Sequence, residues 1–192
     1  MAGGARYTVI LDAAVLYPNL LRDILLQLAT EGLFHARWTK DINEEWQRNL
    51  VKDRPDIAEK LPKLVERMCD AVPDWEVYGY ESLIDSLNLP DVDDRHVLAA
   101  AIVGHADAIV TPNLKDFPED ELQQYGIEVQ HPDEFIMNQL ELSATQALSA
   151  LRQVRQRRKK PPLSVEEMIS YAEKTGLAQV AQAMREYADL LS

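Results

Sequence analysis

In DVDDRHVLAAAIVGHADAIVTPNLKDFP, residues 91–118, a cluster of acids leads into an apolar face at helical spacing: Val97, Leu98, Ala101 and Ile102. Gly104 marks the expected stop of that helix, and the β-branched run at 108–111 reads as the strand it feeds. Acids thus stand at the start of the helix (Asp91, Asp93, Asp94) and just past the end of the strand (Asp116).

Upstream, YTVIL at 7–11 lacks alternation and suits a strand buried on both faces, with Asp12 at its carboxyl end. Pro18 takes a first-turn position, and Leu20, Leu21, Ile24, Leu25 and Leu28 follow helical spacing until Gly32. Residues 34–38 read as a second strand. Thr39 or Asp41 then caps a helix through Glu44, Glu45 and Trp46 to about residue 51. Residues 56–69 read as helix, with Pro62 separating two short pieces. A third strand is expected at 75–78 and a fifth at 127–129, after a helix-like stretch at 119–125. Strands alternating with helices imply a mostly parallel sheet with helices on both faces, an α/β fold of three-layer α/β/α type.

After residue 141 the strand signal ends. Pro161 and Pro162 interrupt this segment, Ser164 followed by Glu167 is a capping-box pattern opening a helix to 174, Gly176 stops it, and another helix runs to 191. The expected organisation is a domain over 1–140 and a helical C-terminal extension over 141–192, with a basic linker at 152–160.

With 192 residues, 46% of them hydrophobic, the chain can bury a core for one domain plus an appendage. Its first residues carry one Arg, and the apolar run after them is interrupted by Asp12, which does not suit a signal peptide. No apolar run approaches the roughly 18 residues of a membrane span, so the expected location is cytoplasmic. Cys69 is the only cysteine, which excludes an internal disulfide and a multi-cysteine zinc site. The four histidines, His35, His96, His105 and His131, lack the close pairing of a helical zinc site. A net charge of -12 argues against a nucleic-acid partner, but RQVRQRRKK at 152–160 holds six of the twenty basic residues, so positive charge is concentrated locally.

In open parallel sheets, ligands bind at the carboxyl ends of strands where strand order reverses. Asp12 and Asp116 follow two such strands, Asp94 opens the helix before the second, and Glu44 and Glu45 lie on the helix after the strand at 34–38. Several carboxylates in one crevice raise each other's pKa values, and a hard divalent ion relieves the repulsion. Magnesium (Mg2+) or manganese (Mn2+) suits an all-oxygen donor set and promotes hydrolytic phosphoryl transfer. Each acid also has a plain structural reading. Asp12 could be a turn acid, Glu45 a solvated helix residue, Asp94 an N-cap and Asp116 a cap.

The segments VILDAAVLYP, WTKDINEEWQRNL and DVDDRHVLAAAIVGHADAIVTPNLKDFP resemble PIN-domain nucleases, especially the VapC-type ribonuclease toxins of toxin–antitoxin pairs. The resemblance covers about residues 6–137. It implies Asp12, Glu45, Asp94 and Asp116 as catalytic and metal-binding acids, with Glu45 preferred over Glu44 because it lies six residues after Thr39. Asn113 stands where many relatives carry another acid; it is a second-tier residue that could ligate through its carbonyl oxygen or orient a water. Thr111, at the strand end, could bond a ligand, and Asp91 or Asp93 could act outside the metal shell. The resemblance further implies RNA as substrate, Mg2+ or Mn2+ as cofactor, often a homodimer, and a cognate antitoxin lying along a groove that Trp46 and Arg48 would line, although Trp46 reads equally as ordinary core. The terminal helices resemble the extension on longer VapC-like proteins.

For the basic run, three readings stand: a solvated helix end or linker; an RNA contact made by Arg152, Arg155, Arg157, Arg158, Lys159 and Lys160; or docking to an antitoxin or dimer mate. For the whole chain, the leading expectation is a metal-dependent endoribonuclease toxin. The alternatives are an RNA-processing or DNA-directed nuclease of the same fold without a toxin role, and an inactive RNA- or protein-binding module. A haloacid-dehalogenase-type phosphotransferase needs an acid two residues after the first, where this chain has Ala14. Nucleotide-binding Gly-rich loops are absent.

Overall fold

The computed structural model describes residues 7–192. Strands β1 (Thr8–Leu11), β2 (His35–Arg37), β3 (Ala108–Val110) and β4 (Glu128–Gln130) form one parallel sheet in the order β2-β1-β3-β4. The helices interleaved with them are α1 (Ala13–Leu16), α2 (Asn19–Thr30), α3 (Lys40–Asp53), α4 (Leu61–Ala71), α5 (Arg95–Val103) and α6 (Glu119–Gln123). Beyond β4 run α7 (Pro132–Leu142), α8 (Ala144–Arg157), α9 (Val165–Lys174), α10 (Ala178–Glu186) and α11 (Ala188–Leu191). This is the expected α/β/α class with helices at the C-terminus. The chain divides into two compact units, one of residues 7–17 and 34–131, the other of 18–33 and 132–192.

In the first unit the sheet is held by in-register parallel pairs, Val9 with both Ala36 and Ala108, and Ile109 with Val129. Val9, Ile10 and Leu11 of β1 and all of β3 are fully buried, as a strand covered on both faces requires. Helix α5 packs on both β1 and β3. The chain order runs outward from β1 to β2 on one side and from β3 to β4 on the other. The strand order therefore reverses between β1 and β3, and the crevice beyond their carboxyl ends is where such sheets bind ligands.

Two expectations change in this unit. Residues 75–78 do not form a strand: they make a single bridge, Trp38 with Glu76, through Trp38 N–H to Trp75 O (2.8 Å) and Val77 N–H to Trp38 O (3.0 Å). Trp75 instead stacks on the fully buried Trp38, with ring centroids 5.1 Å apart, and Gly79 at φ 75° turns the chain away. Gly104 does end α5, but in a right-handed conformation; the left-handed residue is His105, at φ 50°. Gly104 is needed for closeness, since a Cβ there would lie 2.8 Å from the Ala100 carbonyl oxygen and 3.1 Å from Val77.

In the second unit α2 packs on α8 and α9, α7 on α8 and α10, and α9 on α10. The apolar stripe of α2, including Leu20, Ile24, Leu25 and Leu28, is buried. Ser164 and Glu167 form the expected reciprocal capping box, at 2.9 and 3.1 Å, and Gly176 at φ 81° follows α9. The single helix expected up to residue 191 breaks at Tyr187 into α10 and α11. The stretch expected as a basic linker is helix as far as Arg157.

Buried Asp133 on α7 accepts from the Gln179 and Val180 N–H groups, both at 2.9 Å, and so caps α10 across the unit. Two charge-assisted bonds satisfy donors that a helix start otherwise leaves open. Asp133→Ala is expected to destabilise the chain by about 2 kcal/mol, read as a lower urea midpoint; an unchanged midpoint would mean that water caps α10 equally well.

Candidate active site

Asp12 leaves β1 with extended backbone, donates its N–H to Val110 O (3.2 Å), and accepts the first bonds of α1 from Val15 and Leu16. The residue is only 4% exposed. The fully buried Thr111, at the end of β3, donates its hydroxyl to Asp12 Oδ2 at 2.8 Å. Thr111 Oγ1 in turn accepts the Asn113 N–H at 3.1 Å. With that lone pair engaged, the hydroxyl proton is directed at Asp12, so one chain of bonds spans the point where the strand order reverses.

Burial pushes the Asp12 carboxyl upward from its ordinary value; the Thr111 bond opposes this, and the nearby charge of Glu45 adds to it. Asp94 is pushed up to about 7, first by burial and then by the charges of Asp12, Asp91, Asp116 and Glu45. The four acids singled out in the sequence therefore lie within reach of one another's charge. Asp94 occupies the N-cap position of α5 but makes no capping bond; Asp91 does that work one turn earlier, accepting the Asp93 N–H at 2.9 Å.

Helix α3 begins with Thr39 accepting the Ile42 N–H at 3.1 Å. That start sets its faces. Asn43 and Trp46 turn inward, joined by Trp46 Nε1 to Asn43 Oδ1 at 2.9 Å, while Glu44 is exposed beside Lys40 at 3.6 Å. Glu45 is half-buried, with Oε2 3.5 Å from His96 Nε2. Trp46 is fully buried core and lines no groove, because the bond to Asn43 satisfies its indole N–H inside; Arg48 is exposed. Asp116 closes a 3-10 turn and is half-buried, and Asn113 and Asp93 are exposed.

His96 was missed in the sequence as a site residue. It lies beside Glu45, acts on the charge of Asp12, and has a buried Nδ1 that meets no hydrogen-bond partner among the described residues. Its position two residues past Asp94, in the first turn of α5, was the available signal.

Four carboxylates, of which Asp12, Asp116 and Glu45 all raise the Asp94 carboxyl, with no cysteine among them, are a donor set for a hard divalent ion. Among the described residues no group of three or more His, Cys, Asp or Glu stands at metal-holding spacing. The acids converge electrostatically without closing into a shell. Thr111→Val is expected to cut divalent-metal affinity about tenfold to a hundredfold by leaving Asp12 unoriented, measured by calorimetric titration; Thr111→Ser should restore it, and an unaffected Val variant would remove Thr111 from the site.

The PIN domain family matches residues 8–115, more than half of the chain. The chain belongs to the PIN-domain family. Residues 132–186 match the VapC50 C-terminal domain, in the second unit. A stretch of 73 residues is 49% identical to "Putative ribonuclease VapC50" of Mycobacterium tuberculosis (strain ATCC 25618 / H37Rv). It covers 37% of this chain and 43% of that protein, so the match spans less than half the length of the curated relative. No solved structure matches the chain. No helix among the described residues is long and apolar enough to cross a membrane.

Proposed function

We propose that the chain is a metal-dependent endoribonuclease that hydrolyses RNA phosphodiester bonds at Asp12, Glu45, Asp94 and Asp116. The observation that carries this reading is Asp94, lifted to about 7 by burial and by the other three acids together with Asp91. A divalent cation, magnesium or manganese, held by Asp12, Asp94 and Asp116 with Glu45 beside them, would acidify a bound water and stabilise charge on the phosphodiester oxygens. Thr111 keeps the Asp12 carboxylate turned into the crevice. Glu45 Oε2, less buried than Asp12, accepts the proton that the attacking water gives up and becomes neutral, and His96 Nε2, 3.5 Å away, positions that carboxylate. Asn113 anchors that chain of bonds through its backbone N–H, and its exposed side chain is free to contact substrate.

The biological reading follows from the matched names. The likeness to a putative ribonuclease VapC50, together with the VapC50 C-terminal domain, supports a cytoplasmic toxin neutralised by a cognate antitoxin. The test is incubation of the purified chain with RNA and with DNA of the same sequence, in magnesium, in manganese and in EDTA. Metal-dependent cutting of RNA alone is the expected result. Cutting of DNA alone would replace the ribonuclease reading with a DNA-directed one, and no cutting of either would leave a binding module. Co-purification with the product of an adjacent small gene tests the toxin role.

A further inference from the structure

The basic run of the second unit divides into two sets. Arg155 is tied into the fold, its guanidinium donating to the Leu191 carbonyl (2.6 Å) and the Leu163 carbonyl (3.2 Å). Arg158 donates to Asn19 Oδ1 and Asp23 Oδ2, both at 3.1 Å. Of the remainder, Arg152 is exposed and outside the lining, while Arg157, Lys159 and Lys160 join Lys174 of α9 in lining a cleft of about 770 Å³, to which Arg158 also contributes. Arg157, Lys159, Lys160 and Lys174 form no ion pair with any described residue.

The walls favour an anion. Glu167 is the one acid in the lining, and its Oε2 is already engaged by the Ser164 N–H in the capping box. Pro161 and Pro162 give the floor little freedom, and Lys159 bridges to Pro162 across the turn. Half-buried Tyr171 supplies a ring, and Ser170 a hydroxyl, in the same lining. In a chain of net charge -12, four uncommitted cations in one concavity make a local field that attracts a polyanion against the overall repulsion.

We propose that this cleft binds the phosphodiester backbone of single-stranded RNA, with Arg157, Lys159, Lys160 and Lys174 on the phosphates and the Tyr171 ring as a stacking surface for a base. Cations tracking a backbone beside an aromatic ring are the combination that grips single strands without reading sequence. An acidic peptide would use the charges but has no base to place on Tyr171. The choice of RNA rests on the ribonuclease reading; the cleft itself does not.

The experiment is fluorescence anisotropy of a labelled RNA of about 12 nucleotides with the full chain carrying Asp12→Asn, in EDTA, so that binding is read without cleavage. Replacing Lys159, Lys160 and Lys174 together by Ala is expected to weaken binding at least tenfold and to lower the slope of log affinity against log salt by about 2. Tyr171→Leu is expected to cost about tenfold with the slope unchanged, and Tyr171→Phe to keep the affinity. Thermal unfolding of each variant separates loss of binding from loss of fold. An unchanged affinity and slope in the folded triple variant overturns the cleft even if the native chain cuts RNA. Salt-dependent binding lost in that variant sustains the cleft even if the native chain cuts nothing. Tighter binding of an oligoglutamate peptide than of RNA with equal charge would assign the cleft to a protein partner and overturn it as an RNA site.

Discussion

Asp94→Asn is expected to slow RNA cleavage by at least about a thousandfold, and Asp12→Asn by a similar factor, while both variants keep the native circular dichroism spectrum. Removing a single charge-stabilising group from a preorganised site costs on the order of 10²–10³ in rate, and here the lost group is also a proposed metal ligand. The charge of Asp12 raises the Asp94 carboxyl, so the two acids are coupled and the double variant should lose little more than either single one. Multiplicative losses in the double variant would mean that the two acids work separately. Glu44→Gln is the internal control: its side chain faces solvent beside Lys40, and its activity should match the native chain within about twofold. Cleavage that survives Asp12→Asn and Asp94→Asn would remove the proposed centre altogether.

The same acids oppose the fold when no cation is bound. The folded-state pKa of Asp94, about 7, lies above the ordinary carboxyl value, so folded chain holds a proton that unfolded chain has released. The penalty is fully present above pH 7 and disappears as pH falls through 7 toward the unfolded value near 4. In EDTA, Tm should therefore rise as pH is lowered from 8 to 5, with Asp12 contributing in the same direction. A carboxyl displaced that far would account for roughly 4 kcal/mol if wholly desolvated. Asp94 is half exposed, and solvent screening reduces the expectation to about 1–2 kcal/mol. Asp94→Asn should raise Tm at pH 8 and flatten the profile, and millimolar magnesium should raise the Tm of the native chain at pH 8 by binding the folded state. A less stable Asn variant at pH 8 would refute this account.

What could be read in the sequence was whatever depended on local order. The β1 run ending in Asp12, the strand after α5 and the Ser164–Glu167 box all stood where expected, because periodicity and capping are set by residues a few positions apart. Residues 75–78 misled because a short stretch carrying Trp75, Val77 and Tyr78 is equally a strand and a wall for another ring, and Trp38 claimed Trp75 for stacking. Trp46 read equally as groove wall and as core, and the structure decides for core: Asn43, one turn back, satisfies its indole inside. Glu44 and Glu45 could not be separated by composition, and the start of α3 at Thr39 separates them by rotation. His96 carries no motif, and its role follows only from the meeting of α3 and α5. The difference between Arg155 and Lys159 was likewise invisible, since a basic run does not record which of its members a distant carbonyl engages.

Helix α2 has a consequence for the order of synthesis. It is translated within the first 30 residues, yet within its own unit it packs on α8 and α9, which begin at Ala144 and Val165. At 5–20 residues per second, its apolar stripe waits roughly ten seconds for those partners. Throughout that interval the nascent chain presents Leu20, Ile24, Leu25 and Leu28 to whatever is near the ribosome. A stop codon placed after β4 would remove α8 and α9, the helices of its own unit on which α2 packs.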